Sequence, residues 1–306
     1  MTAKDYIELK QKEWAKKEAI TLVNKDRYTE KYKDNLFKRT LNKNIFKQFK
    51  QASGNEIKED GICNMAAVYS SSALCVNVFQ YFYLLWEKNN QKETKKILYA
   101  LEVLTQDEDI KIEEITFEHK FEIPNISKNY PPNIDVVIKT KDKIFAIESK
   151  FREPYYYTPT NKIQEAYYNE NIWPNCLLKT KKYINTEDNY DKVEEKRKNG
   201  TYKEVNKLNK FKRLDAAQLI KHLLGLYNNK KEKEVHLIYI YYDVPGNMGE
   251  EHRKEIKDFS EIIDDNIKFT AISYQKLIYN LNNKENAKLD YEKHKDYLNY
   301  INSRYL

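Results

Sequence analysis

"NIDVVIKTKDKIFAIESK", Asn133 to Lys150, is the stretch whose reading decides the fold. Two apolar runs flank the charged turn "TKDK", a pattern that predicts two strands, about 133–139 and 143–151, joined as a hairpin. Asp135 interrupts the first run, and Glu148 and Lys150 interrupt the second. Alternate side chains of a strand share a face. Ile144, Ala146, Glu148 and Lys150 therefore fall on one side, with Phe145, Ile147, Ser149 and Phe151 on the other. The midpoint between Asp135 and Glu148 lies in the turn, so the hairpin sets the two carboxylates side by side. Two carboxylates in a partly buried site repel, and each resists ionisation. A divalent cation resolves the conflict, since Mg²⁺ takes one or two carboxylates and fills its remaining positions with water and phosphate oxygens. Lys150 brings positive charge to the same spot, where it can orient or help deprotonate a water, or stabilise charge on a phosphate. The plainer alternative is an exposed hairpin with an ordinary Asp135–Lys150 ion pair. Apolar residues on both faces speak against it, because a strand buried on two sides does not carry unpaired charge cheaply.

The chain around this hairpin supplies helices and further strands. "YSSSALCVNVFQYFYLLWEK" predicts a buried helix capped by one of Ser70 to Ser72. Asn77 and Gln80 share one face of it, and either look onto a polar cleft or satisfy backbone groups. A second helix at about 93–105 precedes a strand in "IKIEEITFEHKFEI", which ends at Pro124. After the hairpin, "LDAAQLIKHLLGLYNN" has an apolar face of Ala216, Ile220, Leu223, Leu224 and Tyr227. "EVHLIYIYYDV" is a buried strand, followed by a helix at about 250–264, a strand "IKFTAIS" and C-terminal helices. Three consecutive strands with a helical crossover to a fourth make an α/β fold, a mixed central sheet flanked by helices. We read 1–306 as a single domain. Residues 1–60 form a helical extension, 70–152 and 213–280 the core, 153–212 a Tyr- and Lys-rich insertion that is helical in pieces, and 281–306 a C-terminal helix.

Composition bounds the function. The chain is 41% hydrophobic and 33% charged with 6 Gly and 7 Pro, which excludes disordered and fibrous classes. A net charge of +7 and 26 Tyr suit a polyanionic, aromatic-stacking partner, or equally a lysine-rich solvated surface. Cys63, Cys75 and Cys176 give neither a disulfide framework nor a zinc site, and fit a reducing cytosol. No signal core and no run long enough to span a bilayer is visible, so a cytoplasmic protein without a membrane partner is expected. The histidines lack HxxxH spacing, and no phosphate-cradling glycine loop follows a strand.

An Asp in one strand, preceded by "PPNI", and Glu-x-Lys in the next, here "IESK", resembles the PD-(D/E)xK nuclease superfamily. "SSALCVNVF", "FEHKFE", "IESKFRE", "QLIKHLLGL" and "LIYIYYD" together resemble one branch of uncharacterised restriction endonucleases, over roughly residues 70 to 280. The resemblance implies the restriction-endonuclease-like αβββαβ core. It implies that Asp135 and Glu148 bind Mg²⁺, with Mn²⁺ the alternative, that the Ser149 carbonyl is a further ligand, and that Lys150 serves the attacking water. It also implies an additional acid, Glu118 or its rival Glu122, and a polar residue on the following helix, Gln218. Lys221 and His222 share the face of Gln218, and His222 taken alone reads as a surface histidine. Glu153 matches an acid following the lysine. The expected function is a metal-dependent DNA endonuclease in restriction or defence, working as a homodimer by analogy with the superfamily. An RNase, a structure-selective or exonucleolytic DNase, and a non-cleaving nucleic-acid-binding protein are the alternatives. The 153–212 segment is the candidate grip on substrate.

Overall fold

The hairpin at Asn133–Lys150 forms the middle of a five-stranded sheet. The computed structural model describes residues 2–52, 56–58, 62–105, 108, 110–124, 126, 133–196 and 200–306. Pro131 and Pro132 of "PPNI" lie outside the described residues. Helix α1 (Ala3–Lys17) is followed by a small hairpin, β1 (Leu22–Val23) and β2 (Tyr28–Thr29), and by α2 (Lys43–Gln51). Helices α3 (Ser71–Glu87), α4 (Gln91–Thr94) and α5 (Lys96–Ala100) lead into β3 (Ile112–Lys120), β4 (Asn133–Thr140) and β5 (Lys143–Lys150). Then come α6 (Glu153–Tyr156), β6 (Lys162–Ile163), α7 (Leu178–Asn185), β7 (Tyr190–Lys196) and β8 (Tyr202–Leu208). Helix α8 (Ala216–Asn229), β9 (Glu234–Tyr241), α9 (Asn247–Ile262), β10 (Lys268–Ser273), α10 (Tyr274–Asn283) and α11 (Tyr291–Tyr305) complete the chain.

The central sheet runs β10-β9-β5-β4-β3. Strands β3, β4 and β5 are antiparallel neighbours, whereas β9 and β10 lie parallel to β5 and to each other. The right-handed preference of parallel crossovers places α8 on one face, between β5 and β9. Period-two alternation then sorts the side chains. Phe145, Ile147 and Phe151 join one apolar cluster with α3, α10 and α11, while Ile144 and Ala146 join a second with α8 and α9. Helix α3 forms where expected, its first turn capped by Ser70 Oγ, which accepts from Ala73 N at 3.1 Å.

One open alternative closes and two expectations change. Asn77 and Gln80 do not look onto a cleft: Asn77 binds Phe37 N, Asn35 O and Tyr305 OH, and Gln80 binds Asn42 N and Thr40 O. Both amides anchor the segment before α2. That N-terminal segment is only partly helical, and it is tied to the C-terminus by Arg304. The buried guanidinium of Arg304 donates to Asn35 and Gln11 and stacks 3.8 Å from the Trp14 ring. The insertion is not simply helical either. Strands β6, β8 and β7 make a second, antiparallel sheet, in which Val193 pairs with Val205. "YDKVEEK" and "YKEVNKL" carry helix-forming Lys and Glu. Cross-strand pairs such as Lys192–Glu204 and Lys203–Glu195 favour the hairpin instead.

Candidate active site

The β4–β5 ladder runs to Val136↔Ile147, and just past it the Asp135 carboxylate reaches Ser149 N, beside Glu148, whose charge it feels. On the other side, the pairs Phe117↔Val136 and His119↔Ile134 bracket Glu118 and Asp135, placing those two opposite each other. Glu148 in turn registers with Tyr239 of β9. Glu118, Asp135, Glu148 and Tyr239 thus form a row across four strands. Glu118 has φ +51°, a left-handed conformation within a strand for a residue that has a Cβ, at the point where the row begins. Glu122, its rival, is exposed and beyond the end of β3.

Glu148 is 1% exposed, with a lysine at one oxygen and a histidine at the other. Lys150 Nζ donates to Oε1 at 2.5 Å, and His222 Nε2 stands 3.0 Å from Oε2 without the alignment of a hydrogen bond. His222 is fully buried, which corrects its reading as a surface histidine. It lies on the flank of α8 that crosses β5, a position that α8's own apolar stripe does not reveal. Lys150 Nζ also donates to Gln218 Oε1 at 3.0 Å, so Gln218 reaches the site as expected. Asp135 Oδ2 accepts from Ser149 N at 2.6 Å. The Ser149 hydroxyl points to the opposite face, 2.6 Å from Tyr274 OH. Glu153 Oε2 accepts from Phe151 N at 2.9 Å, closing the turn after β5.

Charge in the row is unevenly held. Burial and the neighbouring Glu148 and Glu118 push Asp135 well above the ordinary carboxylate range. Burial also opposes ionisation of Glu148, but Lys150 and His222 outweigh it and hold this carboxyl low. Lys150 is enclosed too, yet Glu148, Asp135 and Glu153 keep it charged, with its pKa raised. Glu118 is pushed up to about 7 by burial, then by Glu56 and Glu148.

Glu56 is a site neighbour that the sequence does not announce. It sits in a charged N-terminal stretch, and its carboxylate accepts from Asn64 Nδ2 at 3.1 Å and Ser72 Oγ at 2.6 Å. No local pattern marks it.

The start of α8 is positioned with unusual density. Glu255 accepts from the backbone of Lys212, Arg213 and Leu214, each at 2.8 Å. Asn161 donates to Phe211 O and Leu214 O and accepts from Ala217 N. Asp215 caps the helix at Gln218 N. At the far end, a Cβ on Gly225 would meet the Phe121 carbonyl at 3.0 Å, so glycine lets α8 lie close to the chain leaving β3. These contacts fix where Gln218 and His222 fall.

Among the described residues, no three His, Cys, Asp or Glu side chains form a ready metal cluster. Two hard carboxylates do sit side by side, and Glu148 Oε2 is buried without a hydrogen-bond partner. That donor set fits Mg²⁺, which needs few protein ligands.

In the insertion, Lys162, Lys179, Lys181, Lys192 and Lys203 each pair with an acid. This neutralises much of the charge expected to grip substrate. No helix among the described residues is long and apolar enough to cross a membrane.

Neither the curated proteins nor the solved structures compared with this chain gave a match. The family described as "Restriction Endonuclease associating with ARP" matches residues 8–306. The match extends past the 70–280 stretch that carried the resemblance and takes in the N-terminal segment and the last helix. The chain belongs to this restriction-endonuclease family.

Proposed function

We propose that the protein is a Mg²⁺-dependent endonuclease that hydrolyses DNA phosphodiester bonds at Asp135, Glu148 and Lys150. Family membership implies a nuclease hydrolase with a role in defence. The observation that carries the finer reading is the pairing of Asp135 and Glu148 on adjacent strands with Lys150 Nζ 2.5 Å from Glu148. The antiparallel β3–β4–β5 unit and the parallel β9 reached through α8 support the restriction-endonuclease-like core. A partner such as the ARP of the family description rests on the family alone.

Asp135 and Glu148 would hold the cation. The Ser149 carbonyl would assist, because an extended residue whose N–H faces β4 sends its C=O to the same side. Bound there, Mg²⁺ supplies Lewis-acid stabilisation of phosphoryl charge and activation of water. The side chains do the rest. Lys150 has three N–H donors; one goes to Glu148, one to Gln218, and the third is left for a phosphate oxygen or the attacking water. Because its neighbours keep it charged, Lys150 acts by stabilising negative charge rather than by removing a proton. His222 backs Glu148 from the α8 side and keeps that carboxylate ionised. Water attacks phosphorus in line and gives up a proton to solvent, while the bond to the leaving oxygen breaks and that oxygen takes up a proton from solvent.

Gln218→Ala removes the acceptor that fixes Lys150. Loss of one hydrogen bond is worth about 1–3 kcal/mol, which corresponds to a roughly ten- to hundredfold slower cut. The bond is present before substrate arrives, so stability should also fall, by about 1 kcal/mol, with no packing loss because Gln218 lies off the apolar face of α8. Single-turnover rates and melting curves of the variant check both halves.

The nuclease reading is tested by incubating the purified protein with plasmid, linear duplex, single-stranded DNA and RNA, with Mg²⁺ or with EDTA. Discrete or smeared DNA products that need Mg²⁺ support it. Products from RNA alone move the enzyme to the ribonucleases, and binding without products under any condition supports the non-cleaving alternative.

A further inference from the structure

Beside the acidic row lies a cleft of about 330 Å³. Its walls include Arg27, Tyr28, Tyr69, Arg152, Tyr156 and Tyr157. These come from three separate parts of the chain, so their meeting is a product of the fold. Arg152 is the organiser. Its guanidinium is ion-paired with Glu8 and lies between two rings, 3.5 Å from the Tyr69 centroid and 4.1 Å from that of Tyr156. Such stacking fixes both rings and leaves Arg152 little freedom to seek a ligand. Arg27 is different: its side chain is 42% exposed and stands 3.8 Å from Glu8, a weak hold for a guanidinium.

Tyr156 and Tyr157 are each about half exposed, at 51% and 53%, and meet edge-on with centroids 6.0 Å apart. Large aromatic rings left open beside cations suit nucleic acid. Two residues join this cleft to the acids. Tyr157 and Glu153 line both the cleft and the small pocket that holds Lys150, Gln218 and Tyr239. Glu56, also on the cleft wall, is close enough to push up the carboxyl of Glu118.

A base inside a duplex has both faces covered by its neighbours, so an aromatic ring gains stacking from bases that are unpaired and splayed out. In the β7–β8 hairpin of the insertion, by contrast, Lys192 and Lys203 are each already paired with an acid. Building on the nuclease reading, we infer that this cleft takes an unpaired stretch of the substrate DNA, with a base stacked on Tyr157 and a phosphate held by Arg27. The enzyme then engages its strand in a locally opened form next to the point of cutting.

The test is equilibrium binding by fluorescence anisotropy in EDTA, where nothing is cut. The probes are a labelled 12-nucleotide single strand and the same sequence as a blunt duplex. The variants are Tyr157→Leu, Tyr156→Leu/Tyr157→Leu and Arg27→Gln, all at half-exposed positions where folding is checked by melting. The ratio of single-strand to duplex affinity should fall about tenfold in the double variant. Arg27→Gln should reduce the salt slope for the single strand by about one. An unchanged ratio in the double variant, or an unchanged salt slope in Arg27→Gln, overturns the inference. Mg²⁺-dependent cutting that survives such a result leaves the nuclease reading standing, whereas loss of all nucleic-acid binding and cutting by the wild type removes both.

Discussion

Lys150→Ala and Asp135→Asn should both lose cleavage, by about a hundred- to a thousandfold or more, but they should part company in stability. Lys150→Ala removes positive charge from the phosphate site and also from Glu148, which is 1% exposed. Stripping one partner from a buried ion pair costs roughly 3–5 kcal/mol, and His222, 3.0 Å from the other carboxylate oxygen, places this case at the low end. Asp135→Asn is the reverse. Burial and the nearby acids already disfavour the Asp135 charge, and an asparagine oxygen still accepts from Ser149 N. The metal-free Asp135→Asn protein should therefore be as stable as wild type or more so by about 1 kcal/mol. Denaturant midpoints in EDTA, set beside single-turnover rates, read both effects. A Lys150→Ala variant of wild-type stability would mean that the Lys150–Glu148 pair is not formed in solution.

The second large effect is acid sensitivity, and it comes from the histidine His252. Buried on α9, its Nε2 lies 2.9 Å from Tyr239 OH and its Nδ1 3.1 Å from Tyr155 OH. Tyr155 OH donates to Tyr242 O, so it accepts from Nδ1–H and leaves Nε2 to accept from Tyr239. A neutral ring satisfies every partner. Burial, then Arg253 and Arg213, lower its pKa to about 3. The unfolded chain then takes up a proton at pH values where the folded one does not, so stability is full above about pH 6.5 and falls as pH drops toward 3. The loss from this group alone reaches up to about 5 kcal/mol. His236, lowered to about 4 chiefly by burial, adds in the same direction. Glu118 and Asp135, both raised, take up protons in the folded state first and pull the other way as pH falls, so the contribution of His252 is read as the difference between wild type and His252→Gln. The melting temperature of wild type should fall relative to that of His252→Gln as pH drops from 6.5 toward 3. Parallel profiles of the two proteins down to pH 4 would contradict this.

The hairpin that carries Asp135, Glu148 and Lys150 was legible because two local signals agreed. Alternation gave the faces of β5, and the turn "TKDK" gave the register, so Asp135 and Glu148 could be placed side by side from eighteen consecutive letters. Gln218 was legible as an amide off the apolar stripe of its helix. His222 was misread because its burial depends on where α8 crosses β5, a tertiary fact set by Glu255, Asn161 and Gly225. The β7–β8 hairpin was not legible because its Lys- and Glu-rich segments have helical propensity, and cross-strand pairing overrides it. Glu56 and the tyrosine–arginine cleft left no trace in any local pattern. Their residues are spread from Arg27 to Tyr157, and the N-terminal segment is brought to the sheet through Arg304, Asn77 and Gln80.

The central claim is that Asp135, Glu148 and Lys150 form the reacting centre of a metal-dependent nuclease. Its most direct test is the single-turnover rate of supercoiled plasmid cleavage in saturating Mg²⁺, for wild type and for Glu148→Gln. Glutamine keeps the size of the side chain and an acceptor for Lys150, but removes the charge that would hold the cation. A fall of at least about a thousandfold, with wild-type cleavage abolished by EDTA, is the predicted result. Cleavage by Glu148→Gln within tenfold of wild type would contradict the account.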